Sequence, residues 1–198
     1  MPVIFNDDNY EIIRKKIIEN GFEILKKYGI KKMTITDITD RSGFAKSTFY
    51  TFFHSKEEFI REIVLYKRDQ VNQSFLSYAD ENGMVGKNEF SEFLSSLNIN
   101  DLSVYQYLNK EDLNYLTTKW PKEYCFNPEA DKVGTMQILS KLKGLSKDAN
   151  WKVFANFMKM LANMDMCVDY IHADALNETR QVFINGMIEY LFKPAHLD

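Results

Sequence analysis

The stretch Thr34 to Phe59, TITDITDRSGFAKSTFYTFFHSKEEF, constrains this chain more than any other part of it. Ile35 and Ile38 lie three apart and share one helical face. Thr34 stands where an N-cap is wanted, and Asp37 holds the acidic position of a capping box. Gly43, the residue type that best tolerates a left-handed cap, predicts the end of that helix. A second helix is then expected from about Ala45 or Lys46. At about 100° per residue, Phe49 and Phe53 fall within about 40° of each other, while Ser47, Thr48, Tyr50, Thr51 and His54 gather on the far side. Spacing alone fits two structures, an ordinary helical hairpin and a helix-turn-helix whose second helix enters the major groove of DNA.

Composition admits either. The 198 residues suit one or two small domains, and 45% hydrophobic content is enough for a core. Pro and Gly are scarce, which favours long helices over a turn-rich β protein. There is no run of 18 apolar residues, and MPVIFNDDNY has neither a charged n-region nor an apolar h-region. A cytoplasmic protein without membrane insertion is expected. Cys125 and Cys167 have no His at metal-ligand spacing and read as small buried hydrophobes. The net charge of −3 is unfavourable for nucleic acid. It is unevenly spread, however: residues 1–68 carry 13 Lys and Arg against 10 Asp and Glu, and the remainder carries 12 against 18. The basic balance therefore lies with the Gly43 turn.

From about Ile12 to about Val64 the chain resembles the DNA-binding domain of the TetR (tetracycline repressor) family. The likeness is carried by GFEILKKYGIKKMT, by Thr34 with Ile38, by the Ser42-Gly43 turn, by Thr48-Phe49-Tyr50, by Phe53, and by Ser55-Lys56-Glu57. It covers roughly a quarter of the chain. One position departs from the pattern: Ala45 stands where members place a Ser or Thr, so the second helix lacks a side-chain cap worth about 0.5–2 kcal/mol.

The resemblance implies an all-α protein with a three-helix helix-turn-helix head at residues 1–55. A long helix would join it to a helical effector-binding and dimerisation domain at residues 56–198. Thr34, Tyr50 and Lys56 match positions that commonly touch the DNA backbone in the family. Lys46, Ser47, Thr48 and Thr51 occupy the start and outer face of the second helix and are expected at base edges and phosphates. Phe52 stays open between a thymine methyl and the protein core. With no Arg or Asn mid-helix, readout would rest on Lys46, on hydroxyl and apolar contacts, and on DNA shape.

Around this motif, an opening helix is expected from Asp7 or Asp8 to Tyr28, and another from Ser55, its cap, to about Tyr78. That helix could act as a lever between head and body. Further helices are expected near 87–97, 101–118, 128–143, 148–168 and 174–192. By the same resemblance the last two would pair with their symmetry mates in a homodimer; burial within one subunit is the alternative. Tyr105, Tyr107, Trp120, Phe126, Met136, Trp151, Phe154 and Met158 could wall a pocket for a hydrophobic or aromatic small-molecule effector, or simply pack the core. Asp112, Glu123, Asp165 and His172 are the available polar anchors.

No phosphate loop, nucleophile elbow or dinucleotide fingerprint occurs, and His54, His172 and His196 fit no metal or nucleophile pattern. No enzyme, cofactor or metal is expected. The reading is a TetR-type regulator that binds double-stranded operator DNA as a homodimer and releases it to an effector. A helical ligand- or partner-binding module without direct repression is the rival, and a small helical enzyme is the more distant one.

Overall fold

A computed structural model describes residues 7–97, 104–122, 127–164 and 170–194. Its helices are α1 (Asp7–Lys32), α2 (Ile35–Ser42), α3 (Lys46–Phe52), α4 (Lys56–Leu76), α5 (Lys87–Ser96), α6 (Lys110–Lys119), α7 (Pro128–Leu139), α8 (Trp151–Ala162) and α9 (Leu176–Phe192). Short 3₁₀ turns at Val104–Tyr107 and Ala173–Ala175 precede α6 and α9. The fold is nearly all-helical, and the extended pairing among the described residues is a single parallel bridge between Val85 and Leu142. The chain forms two compact units, one of Met1–Lys67 with Tyr107–Cys125 and one of Arg68–Gln106 with Phe126–Asp198.

In the first unit the expected boundaries hold because their causes are local. Thr34 accepts from the Asp37 N–H at 3.1 Å, and Asp37 accepts from the Thr34 N–H at 3.1 Å, which closes the capping box of α2. Gly43 ends α2 at φ 76°, ψ 26°, a left-handed conformation that an L side chain adopts only with strain. Ser55 accepts from the Glu58 N–H at 3.0 Å and opens α4. The opening helix is interrupted at Gly29 (φ 75°, ψ 173°), which kinks it after Tyr28 and leads into a last turn ending at Lys32.

Three phenyl rings hold this unit together. Phe49, Phe53 and Phe59 are all fully buried, with centroid separations of 5.2 Å, 5.1 Å and 4.8 Å around the triangle. Burying each side chain stabilises by roughly 1.5–3 kcal/mol, and the tilted and edge-on geometries add a smaller aromatic increment. Ile17, Ile18, Leu25, Ile38 and Ile60 complete the core.

Segment 101–118, expected as one helix, is instead broken: Asn109 caps α6 by accepting from the Asp112 N–H at 2.9 Å. Asp112 in turn accepts from the Lys31 N–H at 2.7 Å and the Asn109 N–H at 3.2 Å, and it is fully buried. A buried carboxylate spent on backbone donors is a clip between α6 and the end of α1. Asp112 is therefore a structural residue and not a polar anchor for an effector. Glu123 and Asp165 lie outside the described residues, and His172 sits on the surface before a 3₁₀ turn.

The second unit packs Phe75, Phe90, Phe93, Leu94, Leu139, Leu142, Phe154, Leu161, Ile184, Met187, Ile188 and Leu191 into one core. The Val85 bridge, with N–H···O distances of 2.8 Å to Lys141 and from Lys143, ties the loop before α5 to the loop after α7. The helices expected at 128–143 and 148–168 end earlier, at Leu139 and Ala162.

Gly21 on α1 faces Phe59, and a Cβ there would overlap the Phe59 ring. That ring is locked by Phe49 and Phe53, so it cannot swing aside. Gly21→Ala is expected to destabilise the protein by about 1–3 kcal/mol through overpacking, seen in urea unfolding as a lower midpoint at unchanged slope.

Candidate nucleic-acid interface

The second helix of the motif divides sharply into two faces. Its inner arc carries Thr48, Phe49 and Phe52, and the capping residue Phe53 follows on the same side; all four are buried. On the outer arc Lys46, Ser47, Tyr50 and Thr51 are exposed, Tyr50 by 53%. This polar arc is continuous, which is what a helix lying in a groove requires.

Thr48 corrects the sequence reading. It was expected on the outer face, but it is only 8% exposed. Residues 48 and 52 are one turn apart and share a face. Phe52 turns inward against Tyr10, with ring centroids 4.5 Å apart, and lies 6.1 Å from Phe53. Thr48 goes in with it, and the open question over Phe52 is answered in favour of the core.

The start of α3 is uncapped by any side chain, as the Ala45 departure implied; its first bonds run from the Thr48 N–H at 3.0 Å and the Phe49 N–H at 3.3 Å to the Ala45 carbonyl. The Thr51 hydroxyl donates to the Ser47 carbonyl at 3.1 Å, leaving its oxygen lone pairs to accept from outside. Thr34 is exposed, but its hydroxyl donates to Asp37 at 2.5 Å and so is already engaged.

The first turn of α4 carries Lys56 beside two carboxylates, and both carboxylates have partners in the protein. Glu58 accepts from the His54 N–H at 2.7 Å and pairs with the His54 ring at 3.0 Å. Partial burial alone would raise its pKa, but these bonds together with the His54 and Arg61 charges hold it below the ordinary value of 4.5. Glu57 accepts from the Tyr115 hydroxyl on α6. Burial first, and then the bond to and charge of Glu57, push the Tyr115 phenol up to about 12. Lys56 is half-buried with its ammonium 5.4 Å from the centre of the Tyr115 ring. Burial lowers its pKa, opposed by the Glu57 and Asp112 charges.

The residues proposed for an effector are not brought together in the same way. Trp151, Phe154 and Met158 are in or against the core of the second unit, and Phe154 is 1% exposed there. Met136 on α7 is 46% exposed. Tyr107 and Trp120 belong to the first unit, where Tyr107 packs edge-on against Phe22 at 5.7 Å. Phe126 and the Tyr105 side chain lie outside the described residues. Sequence reasoning counted Tyr115 only among the aromatic side chains of the body, gave it no role at the start of α4, and misjudged Asp112. The capping-box spacing Asn109-x-x-Asp112 was the available signal for the helix that carries both.

Two short helices joined by a left-handed glycine turn, the second with its inner side sealed by phenyl rings and its outer side polar, have the form of a DNA-binding helix-turn-helix. The family described as bacterial regulatory proteins, tetR family, matches residues 17–63. Over 179 residues the chain is 24% identical to the uncharacterized HTH-type transcriptional regulator YdgC of Bacillus subtilis (strain 168), spanning 90% of this chain and 78% of that one. Over 49 residues, 25% of either chain, it is 37% identical to the uncharacterized HTH-type transcriptional regulator YvdT of the same organism. Among solved structures, a TetR family transcription regulator from Marinobacter aquaeolei VT8 superposes with a TM-score of 0.60 at 13% identity, covering 93% of this chain and 96% of that one. The TetR regulator TylP from Streptomyces fradiae gives a TM-score of 0.59 at 16% identity, covering 93% and 88%.

Residues 17–63 carry the helix-turn-helix domain of the TetR family, and over most of its length the chain is similar to an HTH-type transcriptional regulator. DNA is the partner that such a domain implies. Among the described residues no helix is long and apolar enough to cross a membrane.

The lowered Glu58 pKa means that its bonds to His54 contribute stability above the ordinary pKa, and that this contribution is lost as pH falls through the folded-state value. The stability difference between wild type and Glu58→Gln is therefore expected to be largest above pH 4.5 and to shrink on acidification below it, measured by urea titration at a series of pH values.

Proposed function

We propose that the protein is a cytoplasmic, homodimeric repressor. Residues 1–55 hold operator DNA, and residues 56–198 supply dimerisation and the response to a small hydrophobic or aromatic effector. Lys46, Ser47, Tyr50 and Thr51 meet base edges and nearby phosphates, while Thr34 and Lys56 serve the backbone. The observation that carries this reading is the exposed arc Lys46-Ser47-Tyr50-Thr51 on a helix whose opposite side is fully packed. The packed side holds such a helix in place while its outer arc stays open to solvent.

Dimerisation is supported by apolar side chains left on the outside of α8 and α9: Met160 is 60% exposed and Val182 65%. Two-fold pairing also supplies the second half-site, about 34 Å or a multiple of it from the first. An effector releases DNA by favouring the non-binding state, and moving the equilibrium from 1:99 to 99:1 requires about 10⁴-fold preference. Trp151 and Met158, half-buried at the rim of the body core, are the side chains best placed to sense one.

Fluorescence anisotropy with duplexes from the chain's own upstream DNA tests the head. Lys46→Ala is expected to weaken binding and to reduce the salt slope by about one, as loss of a phosphate contact requires; unchanged affinity and slope would exclude Lys46 from the interface. Met160→Glu with Val182→Glu is expected to convert a dimer to monomers in light scattering and to abolish operator binding, with α-helical circular dichroism retained. A wild type that is monomeric at micromolar concentration would rule out the dimer.

A further inference from the structure

We propose that Tyr115 is a positioning residue for operator binding: its ring holds the Lys56 ammonium on α6 in the free protein, and DNA phosphate takes that cation over. The proposal rests on the reading of Lys56 as a backbone contact and names what governs it.

A lysine at the start of a helix, beside free N–H groups and the positive end of the dipole, is well placed to meet a phosphate. Here that lysine is partly withdrawn from water. Its ammonium stands 5.4 Å from the Tyr115 ring centre, half-buried, in the range of a cation–π contact. The same tyrosine reaches the neighbouring residue by donating its hydroxyl to Glu57. One side chain of α6 therefore engages two consecutive residues of the first turn of α4, by ring face and by hydroxyl. Tyr115 is not adrift: Asp112, one turn earlier on α6, is clipped to the Lys31 N–H at 2.7 Å, and Glu111 pairs with the Lys31 ammonium at 3.0 Å. These residues all belong to one compact unit, so the arrangement is internal to it.

A partly desolvated cation beside a carboxylate is neutralised at short range, and a phosphate must compete with both the ring and Glu57 for it. Contact with DNA then carries the cost of leaving Tyr115. Any displacement of α6 changes operator affinity through this cost, without altering the polar arc of α3.

Two measurements test this on the full-length protein. In the first, lysines are reductively dimethylated with ¹³C. The Lys56 methyl signal is expected upfield, in the ring current of Tyr115, and is expected to move to an ordinary shift when a duplex carrying the operator is added. A Lys56 signal that stays in place while that of Lys46 moves overturns the proposal and leaves the DNA-binding reading standing. In the second, Tyr115→Leu with Glu57→Gln removes ring, hydroxyl and carboxylate together. This variant is expected to bind the operator duplex at least about fivefold more tightly, with a salt slope steeper by about one, and adding Lys56→Ala is expected to cancel both gains. A merely structural tyrosine predicts weaker binding with an unchanged slope, and that result also overturns it. If wild type does not bind the duplex at all, both readings fall together.

Discussion

The ring triangle of Phe49, Phe53 and Phe59 is the contact on which the exposed polar arc of α3 depends. It draws one side chain from α3, one from the residue that ends α3, and one from the first turns of α4, so the recognition helix and the helix after it are fixed by the same packing event. A seven-residue helix has no stability of its own in water. Ala45 denies it a side-chain cap, and its conformation is therefore imposed by what lies beneath it. Gly21 belongs to the same device, since α1 can approach Phe59 only where a side chain is missing.

That dependence explains why the outer arc can be chosen for recognition. Lys46, Ser47, Tyr50 and Thr51 contribute little to the core, so they are free to change without endangering the fold. Thr48 is not in this position. It lies above Phe52, and Phe52 is held by Tyr10 of α1, so its identity is tied to packing and not to base readout.

The contrast between Thr48 and Thr34 marks what a linear reading of this chain reveals. Thr34 with Asp37, Gly43, Ser55 with Glu58, and the pairing of Phe49 with Phe53 were all legible, because each is decided within four residues by hydrogen bonding, left-handed φ or helical period. The fate of Phe52 was decided by Tyr10, about forty positions earlier, and no local rule contains that information. The clip of Asp112 to Lys31 and the reach of Tyr115 to Glu57 span still longer separations. They remained hidden for the same reason, although the Asn109–Asp112 cap announced the helix that makes them. In the candidate effector region the aromatic and Met content was legible, but content does not separate a wall from a core. Phe154 proved to be core and Met136 surface.

The first turn of α4 shows how a charged helix start can face a polyanion. Two glutamates suit the dipole of α4 itself and would repel phosphate if left bare. Each is instead bonded to a donor of the protein, Glu58 to His54 and Glu57 to Tyr115. The two donors differ in origin. His54 precedes α4 in the same loop and moves with it, whereas Tyr115 arrives on α6 from a part of the chain beyond the whole helix-turn-helix. The first neutralisation is therefore built into the motif, and the second is conditional on where α6 lies. Of the two contacts, the one with Tyr115 is the one that a change made on α6 can reach, because its donor lies on that helix.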